Sequence, residues 1–117
     1  MKKKYTREQF DKMVDETCDE YADMLRKILN HYGVYHQIMK CIEELGELQC
    51  ALARHIAGDE RYTIEQRIDN IKEEVADVMF MMEQLSEAFG YDEVQEIRAR
   101  KLVRTLTNIE TESKGDV

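Results

Sequence analysis

An all-α fold is predicted by three observations: 117 residues without a proline, apolar residues recurring at three- and four-residue spacing, and cap signals where those runs begin. Proline breaks helices and punctuates loops, so a chain with none, and with only five glycines, suits long helices joined by short turns. The length is that of one domain, residues 1–117. Hydrophobic content of 43% beside 36% charged residues fits helices that each bury one stripe. So small a chain buries a modest core, which a second subunit could complete.

Thr6-Arg7-Glu8-Gln9 has capping-box spacing, and Phe10, Met13, Val14, Tyr21, Met24, Leu25 and Ile28 then recur with helical period. This first helix is expected to stop around Asn30-His31-Tyr32-Gly33. A second carries Val34, Ile38, Cys41, Leu45, Leu48, Leu52 and Ile56 on one stripe and ends at Gly58. Thr63-Ile64-Glu65-Gln66 is another capping box. The helix it opens is expected to bury Ile64, Ile68, Ile71, Val75, Val78, Met82, Leu85 and Phe89 before Gly90 stops it. Asp92-Glu93-Val94-Gln95 starts a fourth, shorter helix through about Thr107, and the polar tail 111–117 is expected to fray. The expected architecture is a four-helix bundle.

A net charge of −8 argues against DNA or RNA as the main partner, because phosphate-backbone binding is driven by Lys and Arg. An acidic protein can still hold a polyphosphate if a metal cation lies between the two negative partners. The cysteines, Cys18, Cys41 and Cys50, are odd in number and contain no C-x-x-C, which fits reduced thiols in a cytosolic, cytoplasmic protein. Met1-Lys2-Lys3-Lys4 is basic but has no apolar run behind it, and no long apolar window follows. Neither secretion nor membrane insertion is expected.

The second helix contains Glu43-Glu44-Leu45-Gly46-Glu47 and the third contains Glu73-Glu74-Val75-Ala76-Asp77. At about 100° per residue, Glu43, Glu44 and Glu47 share an arc of roughly 100°, and Glu74 and Asp77 lie about 60° apart. Two antiparallel helices could therefore aim all five at one point. Glu74 projects at the edge of the apolar stripe, between Val78 and Met81, where a carboxylate is partly desolvated and needs positive charge nearby. Hard cations such as Mg²⁺ or Mn²⁺ prefer oxygen ligands and would relieve the crowding. Gly46 costs its helix roughly 1 kcal/mol relative to alanine, and close approach of a helix or ligand would offset that. The competing reading is a solvated acidic face with Lys40 paired to Glu44 at i,i+4.

The pattern E-E-x-x-E, a spacer, then E-x-x-D resembles the MazG-like superfamily of all-α nucleoside triphosphate pyrophosphohydrolases, most closely its short phage- or prophage-type members. The resemblance is carried by Cys41-Ile42-Glu43-Glu44-Leu45-Gly46-Glu47-Leu48-Gln49 and Asn70-Ile71-Lys72-Glu73-Glu74-Val75-Ala76-Asp77-Val78, and covers about residues 34–106. It implies Glu44, Glu47, Glu74 and Asp77 as core Mg²⁺ ligands, with Mn²⁺ a possible substitute, and Glu43 as a further ligand or the group that orients water. It implies phosphate contacts from Arg98, Lys101 and Arg104 on the last helix, where cations also simply favour a helix C-terminus. It further implies a homodimer or homotetramer with sites near the interface.

The reaction so implied converts a nucleoside triphosphate (NTP or dNTP) and water to the monophosphate and pyrophosphate, with Glu43 or Glu47 as proton acceptor. Tyr32, Tyr35, His36 and Gln37 lie about two turns before the acidic cluster and could line a base pocket, Gln37 as its hydrogen-bonding member. Tyr32 and Tyr35 could equally be core or turn aromatics. A di-iron bundle would call for E-x-x-H pairs, and none of His31, His36 and His55 stands three residues after a Glu. A non-enzymatic acidic helical oligomer or interaction module is the alternative from another class.

Overall fold

The computed structural model describes residues 6–13 and 19–115, all helix and connecting turns, with no strand among them. Five helices follow in order: α1 (Arg7–Met13), α2 (Asp19–Tyr32), α3 (Val34–Ala57), α4 (Ile64–Phe89) and α5 (Tyr91–Gly115). The expected first helix is present as α1 and α2. Residues 14–18, with Val14 and Cys18, lie outside the described residues, as do Met1–Lys4 and the side chains of Phe10 and Met13. The Thr6–Gln9 capping box forms, with Gln9 N–H donating to Thr6 Oγ1 at 3.1 Å and Thr6 N–H to Gln9 Oε1 at 2.9 Å.

The α3–α4 hairpin is the centre of the molecule, and α2 packs across both helices. Gly33, at φ +87°, turns the chain between α2 and α3, a conformation that disfavours any side chain. Gly58, in the left-handed conformation, ends α3, and the following Asp59 N–H reaches Arg54 O at 3.1 Å. The short loop is then locked from both sides. Arg67 Nη1 donates to Asp59 O at 2.7 Å and to Tyr62 O at 2.8 Å. Thr63 and Gln66 complete the expected capping box at the start of α4. Beside it, the Arg61 guanidinium forks onto the Asp59 carboxylate and lowers its pKa to about 2. These ties fix the register of the hairpin.

Burial departs from the sequence expectation. The fully buried apolar residues among those described are Leu25, Leu29, Cys41, Ala51 and Met81, joined by Gln37, Glu44 and Gln84. Ile64, Ile68, Val75, Met82 and Phe89, expected in the core, are exposed, and Ile71, Val78 and Leu85 are half-buried. On α3, Val34, Leu45, Leu52 and Ile56 of the expected stripe are also exposed, Ile56 at 87%. The helices are rotated so that Gln37, Cys41, Glu44 and Ala51 of α3 and Met81 and Gln84 of α4 are buried, with Glu74 half-buried and Asp77 exposed at the edge. Polar side chains share the seam with apolar ones, and much of each apolar stripe is turned outward.

Two further expectations change. The chain from Thr111 continues as helix to Gly115. No proline or glycine interrupts α5 before its last residue, and the Thr105, Thr107 and Thr111 hydroxyls each bond the carbonyl four residues earlier. At Gly46, an added Cβ would meet nothing within 4 Å among the described residues, so none of them approaches it closely. Its projection falls among the exposed Met39, Ile42 and Ile56.

The molecule is open as a single chain. Its radius of gyration is 18.3 Å, against about 13 Å for a compact domain of this length. Its accessible surface is 9887 Å², against about 6,700 Å² for a compact monomer of 13.9 kDa. No helix among the described residues is long and apolar enough to cross a membrane.

Candidate metal centre

Glu44 enters the α3–α4 seam from α3, and Glu74 and Asp77 enter it from one turn of α4. One carboxylate oxygen from each can be chosen so that all three lie within 4.8 Å of one another. Glu44 is 8% exposed and Glu74 half-buried. Glu44 Oε2 and Glu74 Oε2 are both buried without a hydrogen-bond partner. Leaving a buried carboxylate oxygen unpaired is costly, and carboxylates crowded together repel as well. An oxygen-seeking divalent cation would supply the missing positive charge, and an all-carboxylate donor set suits a hard cation better than a soft metal.

The only cation that the described ion pairs bring to the cluster is Lys40. Its Nζ lies 3.1 Å from Glu44 Oε1 and 3.6 Å from Glu43 Oε2. The i,i+4 pair of the competing sequence reading is therefore present, yet it serves the other oxygen of Glu44 and leaves Oε2 alone. Hydrogen bonding to Glu44 and the nearby charge of Glu43 raise the Lys40 pKa. Cys41, one turn before Glu44, is a buried free thiol whose pKa is raised first by burial and then by the Glu44 charge.

The five expected carboxylates are thus divided. Glu44, Glu74 and Asp77 converge. Glu47 borders them: its pKa is raised, chiefly by the charge of Glu44, then by partial desolvation and the charge of Glu74. Glu43 is held at the rim by Lys40, with its side chain 60% exposed.

A cavity of about 650 Å³ runs from this cluster toward the α2–α3 junction. Glu44, Asp77 and Lys40 line one part of it and Tyr32, His36, Gln37 and Phe80 another. The Tyr32 and His36 rings are stacked, with centroids 5.2 Å apart and planes 18° from parallel. Of the residues expected to line a base pocket, Gln37 and His36 line this cavity, whereas Tyr35 is 81% exposed and is absent from the lining. Phe80 and Gln84 were not expected. Gln84, wholly buried, hydrogen-bonds Gln37 across the seam. The available signal was its position seven residues after Asp77, two turns along the same face.

The basic residues of α5 lie elsewhere. α5 packs only against α4 among the described helices. Arg98 lines a separate cavity of about 210 Å³ with Tyr21, Leu25 and Tyr91, and Lys101 and Arg104 are exposed. A single chain does not bring these three to the carboxylates.

Comparison with family models, with curated proteins and with solved structures finds no match to this chain.

The raised pKa of Glu47 sets a pH dependence in metal-free protein. A carboxyl group that holds its proton more tightly when folded adds stability below its ordinary pKa of 4.5. That contribution is lost as pH rises through the higher folded value. Replacement Glu47→Gln is expected to flatten the decline of the thermal midpoint above pH 4.5, measured by circular dichroism in chelator. An unchanged pH profile would contradict the coupling.

Proposed function

We propose that this protein is a Mg²⁺-dependent nucleoside triphosphate pyrophosphohydrolase, converting an NTP or dNTP and water to the monophosphate and pyrophosphate. The observation that carries this reading is the pair of unpartnered carboxylate oxygens, Glu44 Oε2 and Glu74 Oε2, in a cluster whose Glu44 and Asp77 also line a cavity large enough for a nucleotide. The resemblance of E-E-x-x-E and E-x-x-D to the MazG-like enzymes supports it from the sequence side. The fit of the residues is chemical: three convergent carboxylates for the cation, aromatic and amide groups for a base, and an acidic chain that can meet a polyphosphate only through a cation.

In this reading Glu44, Glu74 and Asp77 hold the ion. Bound Mg²⁺ would supply charge neutralisation on the phosphates and Lewis acidity toward water. Glu47 would accept the proton of the attacking water, a role supported by neighbours that raise its proton affinity above that of an ordinary carboxylate. The water oxygen joins phosphorus as the α–β phosphoanhydride bond breaks, and the leaving pyrophosphate carries away the negative charge. Glu43, paired with Lys40 at the rim, orients water or phosphate. Nucleotide-pool cleaning is the role that this chemistry fits.

The working unit is a homodimer or homotetramer. The surface in excess of a compact monomer, about 3,200 Å², is of the size that obligate subunit interfaces bury. Ile42, Leu45 and Ile56 of α3 and Ile64 and Phe89 of α4 offer apolar area for such a contact. Arg98, Lys101 and Arg104, remote from their own chain's carboxylates, would reach phosphates only at a neighbouring subunit's site. The Lys40–Glu44 pair and the same exposed apolar faces favour the alternative of an acidic interaction module.

Replacements Glu74→Gln and Asp77→Asn are each expected to lower Mg²⁺-dependent pyrophosphate release by at least about a hundredfold. Far-ultraviolet circular dichroism should remain that of the parent. Turnover retained in both variants would remove these residues from the chemistry. Sedimentation at micromolar concentration is expected to give a dimer or tetramer, and a stable monomer would contradict the assembly.

A further inference from the structure

The seam holds a second polar device, two turns from the carboxylates. Gln84 Nε2 lies 3.4 Å from the backbone carbonyl of Phe80, which can only accept. That contact sets which end of the Gln84 amide is which, and its Oε1 is turned toward Gln37. Gln37 Nε2 donates to Gln84 Oε1 within the buried seam. The Gln37 amide is therefore oriented as well, with Oε1 on the side away from Gln84. His36 Nδ1 lies 2.8 Å from that oxygen and must carry the hydrogen between them. A neutral His36 ring so oriented has Nε2 as an acceptor.

A chain of one-way hydrogen bonds thus begins at a backbone carbonyl and ends in the cavity that also reaches Glu44 and Asp77. At that end Gln37 Oε1 can only accept, and Nε2 of His36 accepts in the neutral ring. Two buried amides, one with no exposure and the other with 4%, cannot turn over without leaving a donor or acceptor unpaired. The polarity of this wall is consequently fixed before any ligand arrives. Phe80 and Tyr32 supply the flat apolar surfaces beside it.

We infer that the Gln84–Gln37–His36 relay makes the cavity selective for nucleotides whose base carries an exocyclic amino group, against counterparts with a carbonyl oxygen at that position. This rests on the pyrophosphohydrolase reading of the same cavity. An amino group donates to the fixed acceptors, as N4 of cytosine or N6 of adenine would. A carbonyl oxygen in its place sets acceptor against acceptor, and the site has no rotatable amide with which to adapt. Gln37 and His36 face the base, and Gln84 acts through Gln37 as a positioning residue.

The test uses matched pairs, dCTP with dUTP and ATP with ITP, with Mg²⁺ and release of pyrophosphate as readout. The amino member of each pair that is turned over is expected to have a kcat/KM about tenfold or more above its carbonyl counterpart, mainly through KM. In Gln84→Leu the Gln37 amide can rotate, and the ratio is expected to fall toward one, an effect that a general loss of stability would not produce. If that variant does not fold, the ratios of the parent protein decide alone. Turnover with equal rates, or a preference for the carbonyl member, overturns the relay while leaving the hydrolase reading intact. No turnover of any of the four overturns both.

Discussion

The arrangement of this protein depends on carboxylate oxygens placed where water and donors do not satisfy them. Glu44 Oε2 and Glu74 Oε2 face the α3–α4 seam unpartnered, and Lys40 answers only the opposite oxygen of Glu44. Removing a charged group from water without pairing it is among the largest single costs a small domain can carry. Such a cost persists when a ligand relieves it, which is why unsatisfied groups concentrate at functional sites. A divalent cation is the simplest ligand for three convergent carboxylates.

The same constraint shapes the rest of the chain. A seam that buries Gln37, Glu44 and Gln84 beside the half-buried Glu74 has less space for the Ile, Val and Leu residues of the same helices. Ile42, Leu45, Leu52, Ile56, Ile64, Ile68 and Val75 are exposed, in keeping with the open, extended form of the single chain. Locked turns at Gly58 and Thr63 hold the two helices in register so that residues of one helix oppose the intended residues of the other. The proposed metal binding and the proposed partner surface would both follow from this one interface.

Local signals were legible in the sequence. Both capping boxes form, α3 ends at Gly58, and α4 stops before Gly90, because caps depend on a few neighbouring residues. Glu44, Glu74 and Asp77 were also legible, since helical geometry alone puts them on facing arcs. The inward faces were not. Periodicity assigns an apolar stripe to the core, and that rule fails where polar side chains share the core and much of the apolar stripe points elsewhere. Gln84 escaped notice for the same reason, as did the outward position of Ile68 and Val75. Gly46 was read as a point of close approach by a helix or ligand, and no described residue approaches it. The α5 cations carried a pattern but no information about distance, and α5 packs on α4 alone.

The central claim is that the seam carboxylates gather around a divalent cation. Isothermal calorimetry of chelator-stripped protein with MgCl₂ at neutral pH tests it most directly. Saturable binding with a defined stoichiometry per chain is the predicted result. Heats no different from dilution across the titration would contradict the account and leave only an acidic helical hairpin.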